Sequence, residues 1–225
     1  MWRCAVQASK LPTMLIACAN PKGGVGKSTI ATHLVGGMIA QSPDIETVLV
    51  DCDPQRSASR WVGESCEGLV RIENAQDVDE LLDLLGELED AEANVVVDVA
   101  GTASDTHRAA MLHVDTVVLP TGCGVLDLRA LGDASRLVLQ ARKIRRDDNP
   151  RAVVVLNRFQ SRLRLASEAR AAIEAMGLPV AKTTLGMRTG FADAAGQGCL
   201  VWDLAGADQA GVEMKELVKE LLNGN

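Results

Sequence analysis

The chain has 225 residues, 47% of them hydrophobic and 24% charged, with a formal net charge of −7, which suits one large α/β domain with a buried core. Aromatic residues make up only 2%, with no tyrosine, and this scarcity of rings argues against a reader of RNA or single strands. The six cysteines are scattered, with no C-x-x-C pair and no histidine cluster, which argues against a disulfide framework or zinc site, and no apolar run approaches the ~18 residues that span a bilayer.

Residues 1–13, "MWRCAVQASKLPT", show no period. They are expected to form a disordered tail, or to lie upstream of a start at Met14, leaving 14–225 as the domain. "MLIACA" is too short for a signal core and runs directly into a glycine loop. Beyond it, β-branched apolar runs alternate with helical patterns. Strands are predicted near 14–19, 46–51, 69–73, 94–99, 115–120, 152–156 and 179–183, and helices near 27–40, 76–90, 104–112, 126–146, 161–176 and 208–222. "ETVLVD", "NVVVDV" and "RAVVVLN" are apolar on both faces, as parallel strands covered on both sides require. The expected fold is α/β: a doubly wound, mostly parallel sheet with helices on both faces, in a single domain.

The first strand leads into "NPKGGVGKST", residues 20–29. Gly23, Gly24 and Gly26 let the backbone curl so that its N–H groups face phosphate oxygens, and the helix N-terminus adds partial positive charge. Lys27 is placed to reach the β- and γ-phosphates and Ser28 to ligate Mg²⁺. Such a loop has no need of Lys22. Two further motifs end strands of the same sheet, where doubly wound folds bind ligands. "VLVDCDPQ" sets Asp51 and Asp53 at the carboxyl edge, and "VVVDVAG" sets Asp98 there. Carboxylates beside a triphosphate repel it unless Mg²⁺ lies between them.

"KGGVGKST" resembles the deviant Walker A motif of the ParA/MinD ATPases, and the likeness continues through "VDCDPQ", "VVVDVAG", "PTGCGVLDLRA" and "VLNR". The size is similar to the short ParA type, which segregates plasmids or positions other large cargo. The resemblance implies a P-loop ATPase with ATP and Mg²⁺ as cofactors, whose run Lys22, Gly23, Gly24, Val25, Gly26, Lys27, Ser28 and Thr29 holds the nucleotide. It makes Lys22 the signature lysine that crosses an ATP-dependent homodimer to the partner's phosphates. It also makes Asp53 the residue that orients the attacking water, Asp51 a neighbour of the Mg²⁺ shell and Asp98 the Walker B aspartate. Asn157 and Arg158 fall in the segment that meets adenine. "DVAG" departs from the commoner "DTPP", and "PTGCGVLDL" replaces a loop more often rich in proline.

The charge is uneven. Residues 64–98 hold twelve acids against one base, whereas residues 142–170 hold nine Lys/Arg against three acids. Short ParA-type proteins bind DNA without sequence preference, and phosphate contacts from Lys and Arg suit that mode. Arg142, Lys143, Arg145, Arg146, Arg162 and Arg164 are therefore the candidate contacts to double-stranded DNA; pairing with the acidic block is the alternative. In the helix over 126–146, Arg129, Arg136, Gln140 and Lys143 share one face, and Leu131, Ala134, Val138, Ala141 and Ile144 the opposite one. A ParB-like or other adaptor protein and a cytoplasmic, nucleoid-associated location complete what the resemblance implies.

Other members of the superfamily compete with this reading. A MinD-type membrane ATPase needs a basic amphipathic C-terminal helix, but "GVEMKELVKELLNGN" has nearly balanced charge and no aromatic, and reads as a packing helix. A metabolic synthetase of the dethiobiotin or cobyrinic acid type generally lacks a lysine at the position of Lys22.

Overall fold

The computed structural model describes residues 13–101, 105–159 and 164–224. All of the expected tail except Thr13 lies outside them. The described chain folds as β1 (Leu15–Cys18), α1 (Lys27–Gln41), β2 (Thr47–Asp51), α2 (Ser57–Ser65), β3 (Arg71–Asn74), α3 (Val78–Asp90) and β4 (Asn94–Asp98). Then follow α4 (Asp105–His113), β5 (Thr116–Thr121), α5 (Val125–Arg145), β6 (Arg151–Leu156), α6 (Arg164–Ala175), α7 (Gly190–Gly196) and α8 (Asp208–Asn223). The six strands form one parallel sheet in the order β3-β2-β4-β1-β5-β6. This is the expected fold.

Alternation along each strand divides the interior into two cores. Leu15, Ala17, Val48, Val50, Val95 and Val97 point to one face, which α3, α4, α5 and α6 cover. Ile16, Cys18, Leu49 and Val96 point to the other, covered by α1, α2, α7 and α8. Val95, Val96 and Val97 are completely buried, each contributing about 1.5–3 kcal/mol by leaving water. That explains the unbroken apolar runs. α8 buries Met214, Leu217, Val218, Leu221 and Leu222 in the second core, so it is a packing helix, as its charge balance indicated. No helix among the described residues is long and apolar enough to cross a membrane.

The structure corrects the sequence reading in three places. Residues 179–183 do not form a seventh strand: the Val154 N–H donates to Pro179 O, the Ala181 N–H donates to Val154 O, and the pairing stops at one bridge, Val154 to Val180. Two short helices, α2 and α7, were not anticipated. In α5, Leu131, Ala134, Val138 and Ala141 are buried as expected, but Ile144 is 67% exposed, because the 3–4 spacing of that stripe continues at Arg145, which bonds inward in its place.

Candidate functional site

The register of the sheet places Cys18 beside Asp98 and Asp98 beside Asp51 in one row along its carboxyl edge. The glycine loop starts from that row. Its root is fixed by the fully buried Asn20, whose amide Nδ2 donates to Pro120 O (2.9 Å) and whose Oδ1 accepts the Lys22 N–H (2.9 Å). Gly24 (φ 72°) and Gly26 (φ 101°) adopt left-handed backbone, where a side chain would be strained. Nothing lies within 4 Å of a Cβ built on Gly23 or Gly24, so the loop opens outward as a cradle. Gly26 caps α1 without a side-chain bond, and such an uncapped helix start favours an anion.

The two lysines lie in different surroundings. Lys27 is 6% exposed, and its Nζ donates to Lys22 O at 3.2 Å. Burial lowers its pKa, and the nearby Asp98 and Asp53 carboxylates oppose that shift. Lys22 lies at the rim, its side chain 37% exposed, and its Nζ pairs with Asp127 Oδ1 at 2.5 Å. Asp127 belongs to α5 and its Oδ2 also accepts the Gly124 N–H (3.1 Å). Gly122 and Gly124 make room for it, since a Cβ at either would approach Asp127 Oδ2 to 2.6 or 2.9 Å. In the structure the departing segment "GCGVLD" thus supplies the carboxylate that pairs with Lys22. Sequence reasoning missed Asp127, because its partner is 105 residues away.

The three carboxylates also differ. Both oxygens of Asp98 are buried without a hydrogen bond of good geometry. Burial lifts its pKa to about 7, with Ser28 the largest influence in the other direction. An orphaned, buried carboxylate facing the Ser28 hydroxyl and the phosphate cradle fits a divalent cation, so Ser28 and Asp98 are the residues that could hold Mg²⁺. Asp51 is different. Its Oδ1 accepts the Asp53 N–H (3.0 Å), and its Oδ2 accepts both the N–H (2.9 Å) and Oγ (2.8 Å) of Ser59. These bonds tie it to α2. Asp53 is half-buried, accepts the Gln55 N–H at 2.9 Å and lies close enough to Lys27 to affect its charge. Gly101 of "DVAG" packs on the loop: a Cβ there would lie 3.1 Å from Gly23 Cα and 3.3 Å from Lys27 Nζ.

Beside the cradle lies a cavity of about 490 Å³, lined by Gly26, Thr29, Trp61, Asn157, Arg158 and Phe191 together with residues 185–188. Asn157 and Arg158 thus border this cavity. Asn157 is 9% exposed, its Nδ2 donates to Val25 O at 2.7 Å, and its Oδ1 accepts the Arg158 N–H at 2.8 Å. Its amide braces the phosphate loop, and Gly26 is the residue that admits it, because a Cβ there would meet Nδ2 at 2.2 Å. Arg158, at φ 53°, lies on the cavity wall.

The basic block divides. Arg142 donates through Nε and Nη2 to Pro150 O (3.1 and 2.9 Å). Arg145 donates through Nη1 to Leu112 O and Val114 O (2.9 and 3.2 Å) and pairs with Asp147. Both anchor the end of α5. Lys143 and Arg146 are exposed. Arg164 begins α6, and Arg162 lies outside the described residues. Among the described residues no ion pair joins this block to the acidic helix α3.

Comparison with known proteins agrees with this geometry. Residues 16–201 match the family model described as the CobQ/CobB/MinD/ParA nucleotide binding domain. The maintenance of carboxysome distribution protein A of Gloeobacter kilaueensis is 32% identical over 213 residues, covering 92% of this chain and 93% of that protein. Its counterpart in Halothiobacillus neapolitanus is 28% identical over 217 residues, 92% of this chain and 95% of that one. Among solved structures, a variant of Cyanothece McdA in complex with ATP superposes with a TM-score of 0.76 at 14% identity, covering 95% of this chain and 97% of that one, a likeness of fold. With the phosphate cradle, its two lysines and the carboxylate row in place, the chain belongs to the ParA/MinD family of nucleotide-binding proteins.

Proposed function

We propose that this chain is an ATP- and Mg²⁺-dependent positioning ATPase that works as a nucleotide-bridged homodimer over residues 14–225. The reading includes DNA binding without sequence preference, an adaptor protein of ParB-like or other type, and a cytoplasmic, nucleoid-associated location. One observation carries it: the two loop lysines are committed differently. Lys27 is buried beneath its own cradle, whereas Lys22 is held at the rim, away from that cradle, by Asp127. A lysine stored at the rim suits delivery to a neighbour's phosphates, where it would stabilise charge developing on the transferred phosphoryl group. Bound Mg²⁺ would neutralise phosphate charge between Ser28 and Asp98. Asp53, close enough to Lys27 to affect its charge, would orient water.

The two curated relatives, which this chain matches over nearly their whole length, are named for maintaining carboxysome distribution. By analogy the cargo is a large assembly. On the DNA side the exposed Lys143 and Arg146 are the contacts we favour, with Arg142 and Arg145 shaping the surface beneath them.

The test compares three variants by nucleotide binding, sedimentation with a slowly hydrolysed ATP analogue, and turnover. Lys27→Ala is expected to lose ATP binding. Lys22→Ala should bind ATP yet neither dimerise nor hydrolyse, and Asp53→Ala should bind and dimerise without turnover. A Lys22→Ala protein that dimerises and hydrolyses normally would overturn the role across the dimer. Turnover stimulated by a small carboxylic acid, and not by DNA or an adaptor, would place the chain with the synthetases of its family.

A further inference from the structure

We propose that Trp61 is a nucleobase-recognition residue, whose indole forms a wall of the base pocket and whose helix links that pocket to the carboxylate turn. The inference rests on the nucleotide site described above and deepens it. Trp61 lies on α2, a helix outside the motifs read from the sequence, yet it lines the cavity beside the phosphate cradle. It is 8% exposed, so its body is packed in the core and only an edge or part of a face remains for a ligand. Its orientation is fixed from two sides. The indole Nε1 donates to Cys199 O at 2.9 Å. The His33 ring meets it edge-on, with centroids 5.2 Å apart and planes at 90°. His33 is itself held between Thr29 O (2.7 Å) and the Val201 N–H (2.9 Å).

Apolar side chains form much of the wall that such a pocket offers a base. The Asn157 amide already gives one hydrogen to Val25 O and accepts the Arg158 N–H, which limits its freedom to read a base edge. What remains is a slot bounded by Trp61, Leu185, Met187 and Phe191, with Arg158 at its border and Arg188 there too, its guanidinium paired with Glu213 at 2.7 Å. This suits a planar aromatic base, held by stacking and van der Waals contact with the Arg158 cation beside it. The first turn of α2 is bonded to the carboxylate turn, because Ser59 donates twice to Asp51 and the Arg56 N–H donates to Asp53 O. A base pressing on Trp61 therefore bears on the helix that positions Asp53.

The experiment measures binding of Mg·ATP and of inorganic tripolyphosphate to the full chain and to Trp61→Ala and Trp61→Phe, with circular dichroism as the check on folding. Loss of a stacking partner should weaken Mg·ATP binding roughly 5- to 150-fold in Trp61→Ala. Tripolyphosphate, which has no base, should bind as before, and Trp61→Phe should recover most of the loss. A residue needed only for packing would weaken both ligands together, and that result overturns the proposal, as does unchanged ATP binding. If Trp61→Ala does not fold, Trp61→Phe decides by fluorescence. ADP should change the emission of the natural chain, tripolyphosphate should not, and the ADP response should vanish in Trp61→Phe; a response that persists refutes the assignment. A natural chain that binds neither ligand would instead refute the nucleotide site itself.

Discussion

Replacing Asp127 with Asn should make the ATP-bound protein dimerise more readily. The Lys22–Asp127 pair has side chains 37% and 19% exposed, so solvent screens it, and a partly exposed pair of this kind is worth at most about 1 kcal/mol. Forming a dimer that uses Lys22 across the interface breaks this pair in each protomer. The combined restraint is then at most about 2 kcal/mol, so the dimer dissociation constant should fall by up to roughly 30-fold. Asn retains an oxygen for the Gly124 N–H, which Asp127 now satisfies at 3.1 Å, so the start of α5 is preserved while the charge is removed. Sedimentation across a concentration series with a slowly hydrolysed ATP analogue measures the shift. The gap between the two proteins should narrow as salt is raised, because the lost interaction is ionic. A dimer no tighter than that of the natural chain would refute the idea that the pair restrains Lys22.

His33 provides a pH test. Burial depresses its pKa to about 4, so the stability tied to its neutral form is complete above the ordinary value of about 6.5 and is lost as pH falls toward 4. Between pH 7.5 and 5.5 the natural chain should lose about 1.3 kcal/mol that His33→Asn does not lose, read by urea unfolding; parallel pH dependence in the two proteins would contradict the burial argument. At the basic face, Lys143→Ala with Arg146→Ala should weaken two unrelated duplexes equally and lower the salt slope by about one per lost contact. Filter binding across a salt series decides, and unchanged affinity means the face is only solvated.

Much of the fold could be read in advance because its signals are local. Strands such as β2 and β4 are buried on both faces, so their composition alone reveals them, and the glycine loop lies within ten consecutive residues. The failures share a different cause. α2, "SASRWVGES", is short and polar, and it is fixed by an Asp51 carboxylate that precedes it together with the burial of Trp61 and Val62. α7, "GFADAAG", begins and ends on glycine and leans on the second core through Ala194. Residues 179–183 have strand composition, but only Val180 finds a bridge. At the site, residue types announced phosphate and metal chemistry, whereas the uses of Asp127 and Asn157 depend on contacts 105 and 132 residues apart. No window of sequence contains such pairs.

The strand order also bears on how the protein comes into being. Among the described strands β1 is made first, yet its neighbours are β4 and β5, with Leu15 beside Val95 and Ile16 beside Thr116. A chain emerging from the ribosome therefore carries β1 and the phosphate loop without these partners until some eighty further residues have followed. Parallel pairing at such separations is slow, because loop closure must precede any gain from contact. The Asn157 brace arrives later still, and the Phe191 wall of the cavity beside the cradle after it. The proposed nucleotide site is thus complete only once residue 191 has been made, and during synthesis the apolar β1 needs shelter from other nascent chains.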